Sequence, residues 1–173
     1  MKRDSSKLNR MHKYLHYVYI PAVIVAAWLV SANWYQFSLI HGNSMSSAYH
    51  NLQFVLIDRH SGLYTYGDVV AFQCEKLDAV LIKRIVACPG DRVIIKNGTL
   101  HVNDAVSNIF PQDDIFEYNG IAENMIYLGE EQFFVIGDNL EESKDSRYEE
   151  VGVVNGENIL GKIIPNVRRG VMS

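Results

Sequence analysis

Several features are scarce in this 173-residue chain, and each scarcity narrows the reading. Charge is missing from Tyr14 to Ile57, where no Asp, Glu, Lys or Arg occurs. Cysteine is limited to Cys74 and Cys88. That number permits a disulfide but not a disulfide framework, and a domain of this size buries a core without one. Cys88 beside Pro89 reads equally well as a small buried residue. His12, His16, His41, His50, His60 and His101 form no pair spaced for one face, so no metal site is expected. A basic stripe is also lacking. Of the 16 basic residues, five (Lys2, Arg3, Lys7, Arg10, Lys13) lie in residues 1–13 beside the single acid Asp4, which leaves 11 bases against 19 acids from residue 58 onward. An acidic main domain of this kind argues against nucleic acid as a partner. There is no internal repeat, no low-complexity tract and no sign of a second domain boundary.

What fills the uncharged interval is apolar. Tyr17 to Val30 is a strongly hydrophobic run, and Ser31 to Ile40 extends it to the ~20 residues that a helix needs to cross a bilayer. Tyr14, Tyr17 and Tyr19 at one end and Trp28, Trp34 and Tyr35 toward the other suit the two lipid interfaces. Pro21 is tolerated in a first helical turn. The expected organisation is a basic cytoplasmic tail over 1–13, a transmembrane anchor over 14–36 and an extracytoplasmic domain over 37–173, with the basic cluster holding the amino terminus inside. The competing reading is a cleavable secretory signal ending near Val30-Ser31-Ala32, against which the apolar run continues through Trp34, Tyr35, Phe37, Leu39 and Ile40. Both readings export the main domain.

Beyond residue 37 the chain reads as β. Short runs rich in β-branched or aromatic residues occur at 54–57, 68–72, 80–86, 91–96, 99–102, 132–136 and 159–164, with Gly, Asn, Asp or Pro between most of them. Asn97-Gly98 between two such runs predicts a two-residue hairpin, because both turn positions must accept positive φ. Residues 103–128 are polar and weakly periodic, and read as an excursion from the sheet.

Three stretches carry candidate chemistry. In Ala79 to Asp91, a period of two puts Lys83 on one face with Leu81 and Ile85, while Arg84 points the other way with Ile82 and Val86. An ammonium among apolar neighbours loses hydration, so its pKa falls toward the range of a general base. The bland alternative is an edge-strand lysine that snorkels to water. His41 to Ser47 is a loop in which Gly42-Asn43 turns the chain just before Ser44, so that the hydroxyl and the backbone N–H of Ser44 can face one space, half of an oxyanion hole. Most loop serines are only solvated hydroxyls. In Phe133 to Arg147, a buried run enters the turn Gly137-Asp138-Asn139 and then a loop with Ser143, Asp145, Ser146 and Arg147. This is either a solvated loop with a surface ion pair or a device that pins a neighbouring amine.

Together the three stretches resemble the type I signal peptidases, the membrane-bound Ser-Lys proteases that remove leader peptides from exported proteins. Ser44-Met45 resembles the nucleophile motif and Lys83-Arg84 followed by Pro89-Gly90-Asp91 the general-base motif. Gly137-Asp138-Asn139 with Ser143, Asp145, Ser146 and Arg147 resembles the third signature, and three ordered motifs are far more specific than one. The resemblance implies a mainly β fold, a catalytic domain of coiled antiparallel sheets carried on one amino-terminal transmembrane helix. It implies Ser44 as nucleophile and Lys83 as base, Ser143 orienting the lysine nitrogen, and Asp145 and Arg147 shaping the loop. It implies no metal or organic cofactor, and as partners the signal peptides of exported precursors and the lipid bilayer of the cytoplasmic membrane.

The pattern is not complete. The positions two and three residues after Met45, where the family usually has proline and threonine, are Ser47 and Ala48, and the missing proline removes a restraint on the chain leaving the nucleophile. Gly42 stands where some members place a serine hydroxyl in the oxyanion hole, and Cys88 replaces an aliphatic residue. An accessory role in pilus or surface-fibre assembly, with pilin precursors and assembly machinery as partners, is the alternative function. A self-cleaving repressor would need a DNA-binding domain, and a Ser-His-Asp hydrolase using His41, His50 or His60 would need a nucleophile elbow that is not there.

Overall fold

A computed structural model describes residues 17–28, 34–111 and 113–165. The chain divides into two units, residues 1–35 and 36–173. In the first, residues 17–28 are helical and exposed. No described helix is long and apolar enough to cross a membrane. The tail over 1–13 and residues 14–16 and 29–33 of the expected anchor lie outside the described residues.

The second unit is mainly β. The described strands are β1 (Tyr35–Leu39), β2 (Phe54–Asp58), β3 (Val69–Cys74), β4 (Ala79–Ala87), β5 (Arg92–Lys96), β6 (Thr99–Val102), β7 (Ala105–Val106), β8 (Ile126–Tyr127), β9 (Gln132–Ile136), β10 (Val154–Asn155) and β11 (Ile159–Ile164). They form a seven-stranded sheet in the order β1-β2-β11-β3-β4-β9-β10 and a four-stranded sheet in the order β7-β6-β5-β8. Neighbours run antiparallel wherever their register is defined.

Each of the seven runs expected from composition holds a strand. The excursion expected over 103–128 is only partly one, because β7 and β8 lie within it and extend the smaller sheet. The Asn-Gly turn joins β5 to β6 with Lys96 opposite Thr99, and Asn97 and Gly98 have φ of 51° and 72°. Positive φ at both central residues is what a tight hairpin demands.

Strand β4 sits between β3 and β9, so both its edges are hydrogen-bonded and both its faces meet other residues. Val86 and Ala87 at its end join Phe134 and Ile136 of β9 and Val93 and Ile95 of β5 in the core that holds the two sheets together. Ile85 instead joins Val70, Phe72 and Val135 in a second core. A central strand with cores on both faces is where a lysine side chain cannot easily reach water.

Candidate active site

The nucleophile candidate lies on a loop made of tight turns. Ser46 N donates to Asn43 O at 2.9 Å, Ala48 N to Met45 O at 2.9 Å and Tyr49 N to Met45 O at 2.7 Å. Gly42 has φ +95°, and its N–H donates to Asn51 Oδ1 at 3.0 Å. Met45 is buried with Ile40, Tyr49, Val55 and Ile57, which roots the loop in a third core. Ser44 stays half-buried, and its backbone N–H donates to no group among the described residues.

Lys83 pairs with Val70 across β3 and β4 and is 2% exposed. Snorkelling is therefore excluded. Its side chain makes no hydrogen bond or ion pair among the described residues. Burial pushes the amine down from 10.5 to about 8, opposed by the Asp145 carboxylate, reinforced by the Arg147 cation and opposed again by Asp138. Ser44 and Lys83 line one cleft of about 400 Å³, walled by β1 and β4 through Phe37, Leu39, Val80 and Leu81.

Among the described residues, the buried polar and charged side chains are Lys83, Ser143, Asp145, Ser146 and Arg147. All lie in the stretches singled out from sequence. Arg147 holds Asp145 through Nε at 2.8 Å and Nη2 at 2.9 Å. Nη2 also donates to the carbonyls of Leu140 at 2.9 Å and Ser143 at 3.4 Å, Nη1 donates to that of Tyr118 at 3.3 Å, and the guanidinium lies over the Phe116 ring. Asp145 also accepts from Gly137 N at 3.1 Å, and Ser146 exchanges bonds with Val135 of β9. A buried ion pair with every partner satisfied fixes a loop, whatever its net effect on stability. Ser143 Oγ differs: it is buried and has no hydrogen-bond partner among the described residues. The expected bond from Ser143 to Lys83 is thus not formed here. The hydroxyl sits over Gly137, where an added Cβ would meet Ser143 Oγ at 2.1 Å and Ser44 O at 2.6 Å.

The turn 137–139 does more than its composition suggested. Asn139 N donates to Ser44 O at 3.0 Å, and Asn139 Nδ2 to Asn43 O at 3.3 Å. The Asp138 carboxylate grips Arg84 through Nε at 2.7 Å and Nη2 at 2.5 Å, while Arg84 Nη1 donates to Gly67 O at 2.9 Å. The turn therefore touches the Ser44 loop and, through the neighbour of Lys83, strand β4. Sequence reasoning placed Arg84 on the opposite face from Lys83 but had no signal for a partner 54 residues away. Cys74 and Cys88 are free thiols, and the Cys74 thiol donates to Glu150 O at 3.4 Å.

Residues 12–166 match the profile of the family described as "Signal peptidase, peptidase S26". The chain belongs to that family. It is 25% identical to a signal peptidase I of Bacillus licheniformis over 170 residues, covering 92% of this chain and 90% of that one. It is 32% identical to signal peptidase IB of Staphylococcus aureus strain Mu50 over 126 residues, 62% of this chain and 63% of that one. A crystal structure of a signal peptidase I from Enterococcus faecalis V583 aligns with a TM-score of 0.48 at 22% identity, over 59% of this chain and 97% of that one. Type I signal peptidases are serine proteases, which is the chemistry that a serine and a lysine with a lowered pKa sharing a cleft can perform.

Proposed function

We propose that Ser44 and Lys83 are the nucleophile and general base with which this type I signal peptidase cleaves signal peptides from exported precursors. The observation that supports it best is the dry Lys83 amine, with a pKa near 8, lining the same cleft as Ser44. Ser44 Oγ attacks the scissile carbonyl carbon as its proton passes to neutral Lys83 Nζ. The tetrahedral oxyanion faces the unused backbone N–H of Ser44. Collapse breaks the C–N bond, and the lysine ammonium returns the proton to the leaving amine, so the acyl ester on Ser44 remains beside a neutral lysine. A water molecule, deprotonated by Lys83, then attacks the ester, and the lysine ammonium passes the proton to Ser44 Oγ as the acyl–oxygen bond breaks. Ser143, with hydrogen-bonding capacity to spare, is the side chain to orient Nζ once the cleft is filled. Asp145 and Arg147 hold its loop, Met45 anchors the nucleophile turn, and Gly42 admits the backbone bend before it.

In this reading residues 1–13 are cytoplasmic, the anchor expected over 14–36 ends before β1, since Tyr35 and Gln36 belong to that strand, and the domain expected over 37–173 acts outside the membrane. The apolar run and its basic flank support that arrangement, as does the family's membrane association with an extracytoplasmic catalytic domain. The retention of both Ser44 and Lys83 favours an enzyme over an accessory protein for pilus assembly. The test is processing of an exported precursor in membranes carrying Ser44→Ala or Lys83→Ala. Precursor is expected to accumulate with each variant, and conversion by both at the parental rate would refute the mechanism.

A further inference from the structure

We propose that Ser47 is a positioning residue for the Ser44 nucleophile, acting through one hydrogen bond from its hydroxyl to the main-chain carbonyl of Asp138. The inference rests on the reading of Ser44 and Lys83 as the catalytic pair. Ser47 Oγ donates to Asp138 O at 3.1 Å, joining positions 91 apart in sequence. The turns within 43–49 fix the shape of the loop but not its orientation toward β4. Orientation needs contacts outside the loop. Met45, buried in its core, is one pivot. Asn139 holds the upstream side through Asn43 O and Ser44 O. The Ser47 hydroxyl holds the downstream side, and with it the loop is tied to the 137–139 turn on both flanks of Ser44.

The acceptor makes this bond matter for catalysis. Asp138 offers its carbonyl to Ser47 and its carboxylate to Arg84, the residue next to Lys83. A loop that shifts against Asp138 shifts the nucleophile against the base. A small error in the approach of reacting atoms costs rate much more than it costs binding. Ser47 itself does not line the cleft that holds Ser44 and Lys83, so its loss should leave substrate binding alone. The bond also offsets a departure in the sequence. Where proline would have restrained the chain by fixing φ, this chain restrains it by a hydroxyl.

Kinetics of precursor cleavage by the full-length chain in detergent test the idea, with Ser47→Ala, Ser47→Thr and Ser44→Ala compared to the parent. The bond is exposed, so water competes for it, and its loss should lower kcat about three- to tenfold. KM and the thermal midpoint should not move. Threonine keeps the hydroxyl and should restore kcat to within about twofold. The proposal is overturned if Ser47→Ala keeps the parental kcat, if the loss is confined to KM, or if Ser47→Thr is as slow as Ser47→Ala. Ser44→Ala separates the two levels. Should it be inactive while Ser47→Ala is unimpaired, only the positioning role falls; should it cleave at the parental rate, the catalytic pair falls as well.

Discussion

Replacing Lys83 by Met tests whether the fold holds an amine that it would be more stable without. The substitution keeps an unbranched chain in the space and removes the nitrogen. Burial lowers the Lys83 pKa from 10.5 to about 8, and each tenfold change in proton affinity corresponds to about 1.4 kcal/mol. The difference between the folded and unfolded chains is therefore about 3 kcal/mol. Its sign follows from the order of the two values. The folded value lies below the unfolded one, so the unfolded chain takes up the proton first as pH falls. The parent loses stability from about pH 10.5 down to about pH 8 and loses no more from this group below that. Lys83→Met lacks this loss. Its stability relative to the parent should be highest at pH 7, by up to about 3 kcal/mol, or roughly 6–12 °C in thermal midpoint for a chain of this size. That advantage should shrink toward zero by about pH 10.5, although the variant cleaves nothing at either pH. Comparing parent and variant at each pH cancels the titration of every other group. Circular dichroism melts of both proteins in detergent at pH 7 and pH 10.5 suffice. A variant that is no more stable than the parent at pH 7, or whose advantage is the same at both pH values, would refute the claim that Lys83 is a desolvated amine.

The same displacement governs activity: kcat/KM should rise with pH through a midpoint near 8 as Lys83 loses its proton, and a profile flat from pH 7 to 9 would exclude it as the base. Ser143→Ala removes a buried hydroxyl that has no partner, so unfolding should show a stability change within about 1 kcal/mol while precursor cleavage falls at least tenfold. Asp145→Ala leaves the Arg147 guanidinium buried without its carboxylate, and urea unfolding should register a loss of about 3–5 kcal/mol. Gly137→Ala drives a methyl into Ser143 Oγ and the Ser44 carbonyl. It should cost about 1–3 kcal/mol and slow cleavage by more than Gly98→Ala, a change strained by its positive φ and by Ile115.

The features legible in the sequence were those encoded locally. Seven strands announced themselves by β-branched and aromatic runs, and the Asn97-Gly98 turn by the φ values it needs. Alternation put Leu81 and Ile85 on the face of Lys83 but left a snorkelling edge-strand lysine open, and only the placement of β4 between β3 and β9, with Lys83 2% exposed, decides between them. Strand β1 was hidden because Tyr35–Leu39 continues the apolar composition of the run before it. Strands β7, β8 and β10 are two residues long, too short for any period to show. The tertiary links were hidden for a different reason. Nothing near Arg84 names Asp138, and nothing near Ser44 names Asn139, because a hydrogen bond between distant positions leaves no trace in either neighbourhood. Ser47 shows the limit most plainly: judged against a family pattern it was a lost restraint, and in the fold its hydroxyl is a restraint of another kind.

These links explain why the third signature combines a turn with a buried ion pair. The turn at 137–139 must hold the Ser44 loop and β4 at once: main-chain Asn139 N and Asp138 O, with Asn139 Nδ2, engage the loop, and the Asp138 carboxylate engages Arg84 of β4. Main-chain contacts transmit position faithfully only if the turn itself cannot move. Glycine at 137 leaves no side chain to brace it, so the bracing comes from the next loop. Asp145 takes the Gly137 N–H, and Arg147 holds Asp145 through Nε and Nη2 while Nη2 also reaches the carbonyls of Leu140 and Ser143 and Nη1 that of Tyr118. An apolar plug in place of Asp145 and Arg147 would fill the same space but leave the Gly137 N–H and three carbonyls without partners. On this argument the charged pair makes the glycine turn a fixed reference between the proposed nucleophile and base. Replacing Asp145 and Arg147 together by Leu and Met distinguishes this from a purely stabilising role. The double variant should recover much of the stability lost by Asp145→Ala, as buried pairs exchanged for apolar groups commonly do, and still cleave precursor at least tenfold more slowly than the parent. Recovery of parental cleavage along with stability would show that the pair serves the fold and not the site.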